Sequence, residues 1–154
     1  MTNFNTEQQA KYNLLTSLGL PEQQAQASVN TDINPPVAAA QPTSVYAMLK
    51  IKDDANMDDL KAALAKYSAA SKASAGKVVA SYSIADGEVQ FIETYNSPAA
   101  MDAHIGNCFP HYVHIVPHAD MTEIICVCNP ADTEFWKTSA SAWGASKFIV
   151  SPSM

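Results

Sequence analysis

From residue 44 onward, hydrophobic and polar residues recur with the periods of strands and helices. In SVYAMLKI (44–51) every second residue from Val45 is apolar, which predicts a strand with two distinguishable faces. A helix is predicted next, from the N-cap Asn56 to Gly76. Its apolar stripe consists of Met57, Leu60, Leu64 and Tyr67.

The following segment predicts a β-hairpin and a second helix. KVVASYSI (77–84) and EVQFIETY (88–95) are rich in β-branched and aromatic residues, and Ala85-Asp86-Gly87 separates them. Asp-Gly is a favoured hairpin turn because both residues tolerate positive φ. Ser97 then caps a helix with Pro98 at its first position, and this helix is expected to reach about Asn107.

The remaining residues predict two further helical segments and two strands. Pro110 restarts or kinks the helix, and the stretch from Phe109 to His118 has a narrow apolar stripe that comprises Phe109, Tyr112, Val113 and Val116. TEIICVC (122–128) is a strand, a helix spans about Ala131 to Trp143, and SKFIV (146–150) is the last strand. The order β-α-β-β-α-α-β-α-β predicts an α+β domain over residues 44–154, with a ferredoxin-like split βαβ core, an antiparallel sheet and extra C-terminal helices.

Residues 1–43 have a different pattern. A short helix is expected over residues 6–18, where Leu14, Leu15 and Leu18 cluster on one side until Gly19 and Pro21 end it. Residues 19–43 are rich in Gln, Ala, Asn and Pro and lack a sustained apolar period, so they are interpreted as a flexible linker or arm. This arm is either disordered or wraps a partner subunit.

Composition and charge exclude several classes of function. The chain has 154 residues, 47% of them hydrophobic, and a net charge of −6, which suits one globular domain and gives no basic field for nucleic acid or anionic lipid. No leader-like start and no run of about 18 apolar residues is present, so a soluble, cytoplasmic protein without membrane contact is expected.

The three cysteines, Cys108, Cys126 and Cys128, are too few for a disulfide framework, and reduced thiols are expected. Cys126 and Cys128 lie two apart on a predicted strand and therefore point to the same face. They are interpreted as small buried residues, with a weak metal-binding alternative.

All four histidines lie within AHIGNCFPHYVHIVPH (103–118). On a helix His111, His114 and His118 share one face, and this spacing is either a solvated polar surface or a metal site without a carboxylate at matching spacing, since Asp120 lies beyond Pro117. His104 falls on the preceding helix.

The run IETYNSPAAMDAHIGN (92–107), with Glu93, Tyr95, Ser97 and His104 after a hairpin, resembles the antibiotic biosynthesis monooxygenase-like family. The resemblance covers residues 44–151. It implies a dimeric α+β barrel, in which two ferredoxin-like subunits pair sheet to sheet as a homodimer. A sheet with one face uncovered by helices also requires an apolar cover.

The resemblance further implies oxidation of a small phenolic or quinol substrate by oxygen, without metal or flavin, in a cavity between sheet and helices. His104 is then the candidate base, or alternatively a residue that joins helix to sheet. The candidate substrate-binding residues are Tyr95, Glu93, Trp136, Asn107 and Tyr46, and Trp143 is a further wall residue. Tyr95, Trp136 and Trp143 are equally consistent with core packing, and Asn107 with a helix cap.

Two other functions fit the same residues. One is a non-catalytic small-ligand or stress-response binding protein, and the other is a haem-binding or haem-degrading protein with His104 as the axial ligand.

Overall fold

A computed structural model describes residues 3–31, 41–141 and 143–152, which form five α-helices, a short 3₁₀ turn and five strands. Along the chain these elements are α1 (Thr6–Ser17), α2 (Glu22–Asn30), β1 (Thr43–Ile51), α3 (Met57–Ala73), β2 (Lys77–Ala85), β3 (Glu88–Tyr95), α4 (Pro98–Tyr112), β4 (Ala119–Cys128), the 3₁₀ turn (Pro130–Asp132), α5 (Thr133–Ser141) and β5 (Lys147–Pro152). No helix among the described residues is both long enough and apolar enough to cross a bilayer.

The strands form one sheet in the order β2-β3-β1-β4-β5. The pairs β2-β3, β3-β1 and β1-β4 are antiparallel, whereas β5 lies at the edge of the sheet and is parallel to β4. The unit β1-α3-β2-β3-α4-β4 is a split βαβ arrangement, so the predicted α+β class and ferredoxin-like core are confirmed. The helices cover one face of the sheet, because alternate strand residues such as Leu49, Val89 and Ile124 are buried with Leu60 and Ile105 in one core.

Local signals in the sequence explain where the elements begin and turn. The Asn56 side chain accepts hydrogen bonds from the backbone N–H groups of Asp58 and Asp59 at the start of α3. Ser97 accepts one from the N–H of Ala100 at the start of α4. Between β2 and β3, Asp86 and Gly87 have φ values of 52° and 77°, as the Asp-Gly turn predicts.

Helix α4 differs from the prediction, because it does not stop at Asn107 or restart at Pro110. It continues through Pro110 to Tyr112, and turns rather than a second helix connect it to β4. Pro110 is close to the helix end, where burial of Phe109 and Tyr112 stabilises the last turn. The predicted stripe is wrong at Val116, which is exposed, while Ile115 is buried instead.

The three histidines after Pro110 line a surface groove against α3. His114 is exposed, whereas His111 and His118 are half-buried. No group of three metal-binding side chains occurs within the described parts of the chain.

The N-terminal segment is more ordered than expected. Helix α1 confirms the predicted helix, but the interpretation of residues 19–43 as a flexible linker is wrong for residues 22–30, which form α2. Leu15 and Val29 are fully buried, and α2 approaches α4 so closely that a Cβ on Gly106 would lie 3.1 Å from the Cβ of Ser28. Small residues make this contact, which is why hydrophobic periodicity did not reveal it. Residues 32–40 of the predicted arm lie outside the described residues.

Asp102 lies one turn before Gly106 on α4, and burial raises the pKa of its carboxyl to about 6. In the unfolded chain this pKa returns to about 3.9, so the charged form disfavours folding and stability falls as the pH rises from about 4 to about 6. Asp102→Asn should therefore increase the free energy of unfolding at pH 7.5 by about 1–2 kcal/mol, and by less at pH 4. Urea unfolding at both pH values measures the change in unfolding free energy, and Asp53→Asn, at an exposed aspartate, serves as the control. An equal effect of Asp102→Asn at both pH values would contradict a raised pKa for Asp102.

Candidate functional site

A narrow cavity lies between the covered face of the sheet and helices α3, α4 and α5. The space open to the centre of a water molecule is about 30 Å³, room for about two waters at the 10–15 Å³ that each needs. Its apolar wall includes Val45, Ala47, Phe91, Met101, Met121 and Ile124, and its polar wall consists of Tyr67, Glu93, His104, Tyr112, Trp136 and Trp143.

Glu93 is a buried carboxylate at the centre of the polar wall. The alternation of β3 turns Phe91, Glu93 and Tyr95 toward the helices. The Tyr95 hydroxyl donates to Glu93 Oε2 over 2.6 Å, and the Ser71 hydroxyl donates to Oε1 over 3.2 Å. These bonds hold the carboxylate in one position and compensate for its burial.

His104 lies beside Glu93 and is 1% exposed. Its Nε2 is 2.9 Å from the Tyr67 hydroxyl and 3.6 Å from Glu93 Oε2. Its Nδ1 is 3.2 Å from the Sγ of Cys108, one turn later on α4. Both ring nitrogens therefore face protein groups, and of these neighbours Tyr67 and Glu93 also line the cavity.

The two tyrosines next to His104 are neutral hydrogen-bonding groups. Burial, and then the charge of Glu93, raise the pKa of Tyr67 well above its usual value, and the same two causes raise the pKa of Tyr95. Neither phenol ionises near neutral pH, so neither can serve as the base. In this group of side chains, the imidazole of His104 and the carboxylate of Glu93 supply the acceptor atoms for a proton.

Two tryptophans close the cavity from the C-terminal part of the chain. The Trp136 ring lies 5.6 Å from the Tyr95 ring, and the Trp143 ring lies 6.2 Å from the His104 ring, measured between centroids. The backbone carbonyl of Trp143 accepts a hydrogen bond of 3.0 Å from the Tyr112 hydroxyl. Both indole N–H groups are buried and donate to no acceptor among the described residues.

The structure brings together Glu93, Tyr95, His104 and Trp136, but not the other two predicted site residues. Tyr46 lies on the opposite face of the sheet, since its neighbours Val45 and Ala47 line the cavity, and it is 44% exposed. Asn107 donates to the Ser74 hydroxyl at the end of α3, away from the cavity. Strand alternation turns Tyr46 away from the cavity, and its position on α4 turns Asn107 away from it. The predicted substrate-binding role is therefore wrong for both residues.

Three residues that contact Glu93 or His104 were absent from the prediction. Tyr67 belonged to the apolar stripe of α3, and its hydroxyl on that covered face was the signal that it needs a buried partner. Ser71 follows it by one turn on the same face. Cys108, four residues after His104 on α4, had the spacing of a helical pair.

Cys126 and Cys128 are buried, reduced thiols on the covered side of β4, as predicted. Burial, and secondarily the neighbouring Cys128, raise the pKa of Cys126 to about 12. A thiol that stays protonated is neither a nucleophile nor a metal ligand at neutral pH, which favours the packing interpretation.

Comparisons with known proteins support the fold alone. No protein-family model matches the sequence, and no curated protein matches it. Among solved structures, the crystal structure of MupZ from Pseudomonas fluorescens is similar with a TM-score of 0.62 and 11% identity, over 79% of this chain and 92% of that one. The structure of Rv0793 from Mycobacterium tuberculosis has a TM-score of 0.47 and 22% identity, over 55% of this chain and 92% of that one. The likeness to MupZ agrees with an α+β fold of the ferredoxin-like type.

Proposed function

We propose that the protein binds a small planar phenol or quinol in this cavity and promotes its oxidation by molecular oxygen, without a metal or flavin. The observation that carries the proposal is the buried Glu93–His104 pair, 3.6 Å apart, on the wall of an otherwise apolar cavity. Such a pair can take the proton of a phenol, and apolar surroundings admit both an aromatic ring and dioxygen.

The proton path runs through Tyr67. A neutral His104 accepts the hydroxyl proton of Tyr67 at Nε2, and at the same time the substrate hydroxyl gives its own proton to the Tyr67 oxygen. The Tyr67 hydroxyl lies 2.9 Å from Nε2 and Tyr67 lines the cavity, so the side chain can connect the substrate to the base. Glu93 then stabilises the imidazolium electrostatically. Tyr95 and Ser71 act indirectly, by holding Glu93.

The overall reaction for a phenol with an unsubstituted para carbon is phenol + O₂ → para-quinone + H₂O. The phenolate gives electrons to dioxygen, a C–O bond forms at the para carbon, and the O–O bond of the resulting peroxide breaks. One oxygen atom becomes the second carbonyl. The other leaves as water with the para hydrogen and the proton stored on His104.

A non-catalytic ligand-binding function is the second candidate, and a specific observation favours it. Protein groups engage both nitrogens of His104, so this side chain also joins α4 to α3 and the sheet. Haem is less compatible with the site, because protein groups already face both ring nitrogens of His104 and an axial ligand needs one of them open to the iron.

We further propose that the uncovered face of the sheet pairs with a second copy of the chain. Ile92, Tyr46, Ile125 and Ile149 are register partners across four adjacent strands and form an apolar row on that face. Ile92 is 46% exposed and Tyr46 is 44% exposed. A continuous apolar row on a sheet surface favours association.

Oxygen uptake with a panel of phenols and quinols tests the oxygenase proposal. The wild-type protein should consume one O₂ per phenol oxidised, and His104→Gln should lower the rate by about 10²-fold or more because the base is lost. His114→Gln, at an exposed histidine, is the matched control and should retain the wild-type rate.

Uptake that is equal in His104→Gln and wild type would contradict the mechanism. Calorimetric binding of a phenol with no uptake across the panel would instead favour the binding protein. A Soret band upon addition of haem, lost in His104→Gln, would favour haem binding.

A further inference from the structure

We infer that Trp136 and Trp143 are the ligand-selecting donors of the cavity: their indole N–H groups bind a carbonyl oxygen of the ligand. The ligand class is then a neutral planar aromatic with a carbonyl as well as a hydroxyl group. This inference rests on the proposed function, since it names the substrate class of the same cavity.

The hydrogen-bonding capacity of the cavity wall carries the inference. The Tyr67 hydroxyl is paired with His104, and the Tyr112 hydroxyl donates to the carbonyl of Trp143. Glu93 accepts from Tyr95 and Ser71. Within the described residues, the two indoles are the side chains on this wall with buried polar atoms that have no partner.

An indole nitrogen can only donate a hydrogen bond, so its complement is an acceptor atom. Buried donors without an acceptor disfavour the folded state, and natural proteins retain few of them. In the absence of ligand, the cavity that both tryptophans line has room for about two waters. A carbonyl oxygen that displaces this water keeps the hydrogen bonds.

The charges around the cavity disfavour a ligand that enters as an anion. All nine cationic residues of the chain are lysines, and no lysine is among the described residues that line the cavity. A carboxylate or phosphate would therefore meet Glu93 without a compensating Lys or Arg. A neutral carbonyl requires only donors, and the indoles supply them.

The position of Trp143 allows the cavity to admit an aromatic ring. It follows α5 in a turn that includes Gly144, whose φ is 71°. Trp136, by contrast, is held within α5 and is completely buried. Displacement of the Trp143 ring would widen the cavity without breaking a strand or a helix.

The indole N–H signals in a ¹⁵N–¹H correlation spectrum test the inference directly. The chain has two tryptophans, so the spectrum contains two such signals, and Trp136→Phe and Trp143→Phe assign them. The probes are 4-hydroxyacetophenone and 4-ethylphenol, which have similar size and the same hydroxyl but differ in the carbonyl oxygen. Titrations are made without oxygen, and affinities are measured by calorimetry.

The expected result is that 4-hydroxyacetophenone moves both indole signals downfield and binds about tenfold more tightly than 4-ethylphenol. This preference should decrease in each Trp→Phe variant. Tyr82→Phe, which removes a hydroxyl outside the cavity lining, should leave it unchanged. Where a Phe variant does not fold, replacement of both tryptophans by the isosteric sulfur analogue 3-benzothienylalanine removes the N–H groups and retains the ring shape.

Failure of 4-hydroxyacetophenone to bind, equal affinities for the two probes, or unmoved indole signals would overturn the inference. Water alone would then be the acceptor. Binding and oxidation can fail separately. A preference for the carbonyl probe without oxygen uptake would reject the oxygenase and support the indole site. Oxygen uptake without that preference would support the oxygenase and reject the indole site.

Discussion

Glu93→Gln is expected to lower the rate of oxygen consumption by about 10²–10³-fold, because the proton on His104 loses its counter-charge while the side-chain shape stays the same. The charge acts through His104, and Glu93 itself is held by Tyr95 and Ser71. The loss should therefore be in kcat, with KM nearly unchanged. Steady-state oxygen uptake over a range of phenol concentrations measures both parameters.

Glu88→Gln is the matched control, since Glu88 lies on the same strand but on its opposite face. Glutamine at position 93 retains one carbonyl acceptor for two hydroxyl donors, so a cost of about 1–3 kcal/mol in unfolding free energy is also expected. Urea unfolding separates this loss of stability from the loss of rate. A variant with reduced stability and wild-type kcat would show that Glu93 only supports packing.

Tyr46→Lys combined with Ile92→Lys is expected to convert a homodimer into a monomer. The two residues are neighbouring register partners in the apolar row, and each substitution places an ammonium group where the second sheet would pack. The dissociation constant should rise more than about a hundredfold. Light scattering after size-exclusion chromatography, over a range of protein concentrations, measures the change.

Ser83→Lys provides the control for that substitution. Ser83 is an exposed residue of β2 on the same face, outside the apolar row. The wild type and this control should have the same mass in solution. A monomeric wild type at all concentrations would contradict the proposed sheet-to-sheet pairing.

The sequence predicts the core of the fold because each element has an independent local signal. The Asn56 and Ser97 caps, the Asp86-Gly87 turn and the alternation along β1 all agree with the structure. Tertiary packing determined the parts that sequence patterns missed. Helix α2 is stabilised by close contact with α4 at Gly106, and burial of Phe109 and Tyr112 carries α4 past Pro110.

The candidate site was partly predictable. The family resemblance indicated Glu93, Tyr95 and His104, and the alternation of β3 and the position of His104 on a helix that covers the sheet agree with it. The partner of His104 depends on how α3 and α4 lie relative to each other, which no local pattern specifies. The Tyr67 hydroxyl therefore becomes evident only when both helices are placed on the sheet.

Helix α4 is buried on more than one side. Its sheet-facing side carries His104, and two residues later Gly106 contacts α1 and α2, with the Nζ of Lys11 3.3 Å from the position of a Gly106 Cβ. A helix packed between two layers has little freedom to rotate or slide. The position of the imidazole is thus fixed in part by the N-terminal helices, which lie outside the ferredoxin-like core and contribute no residue to the cavity lining.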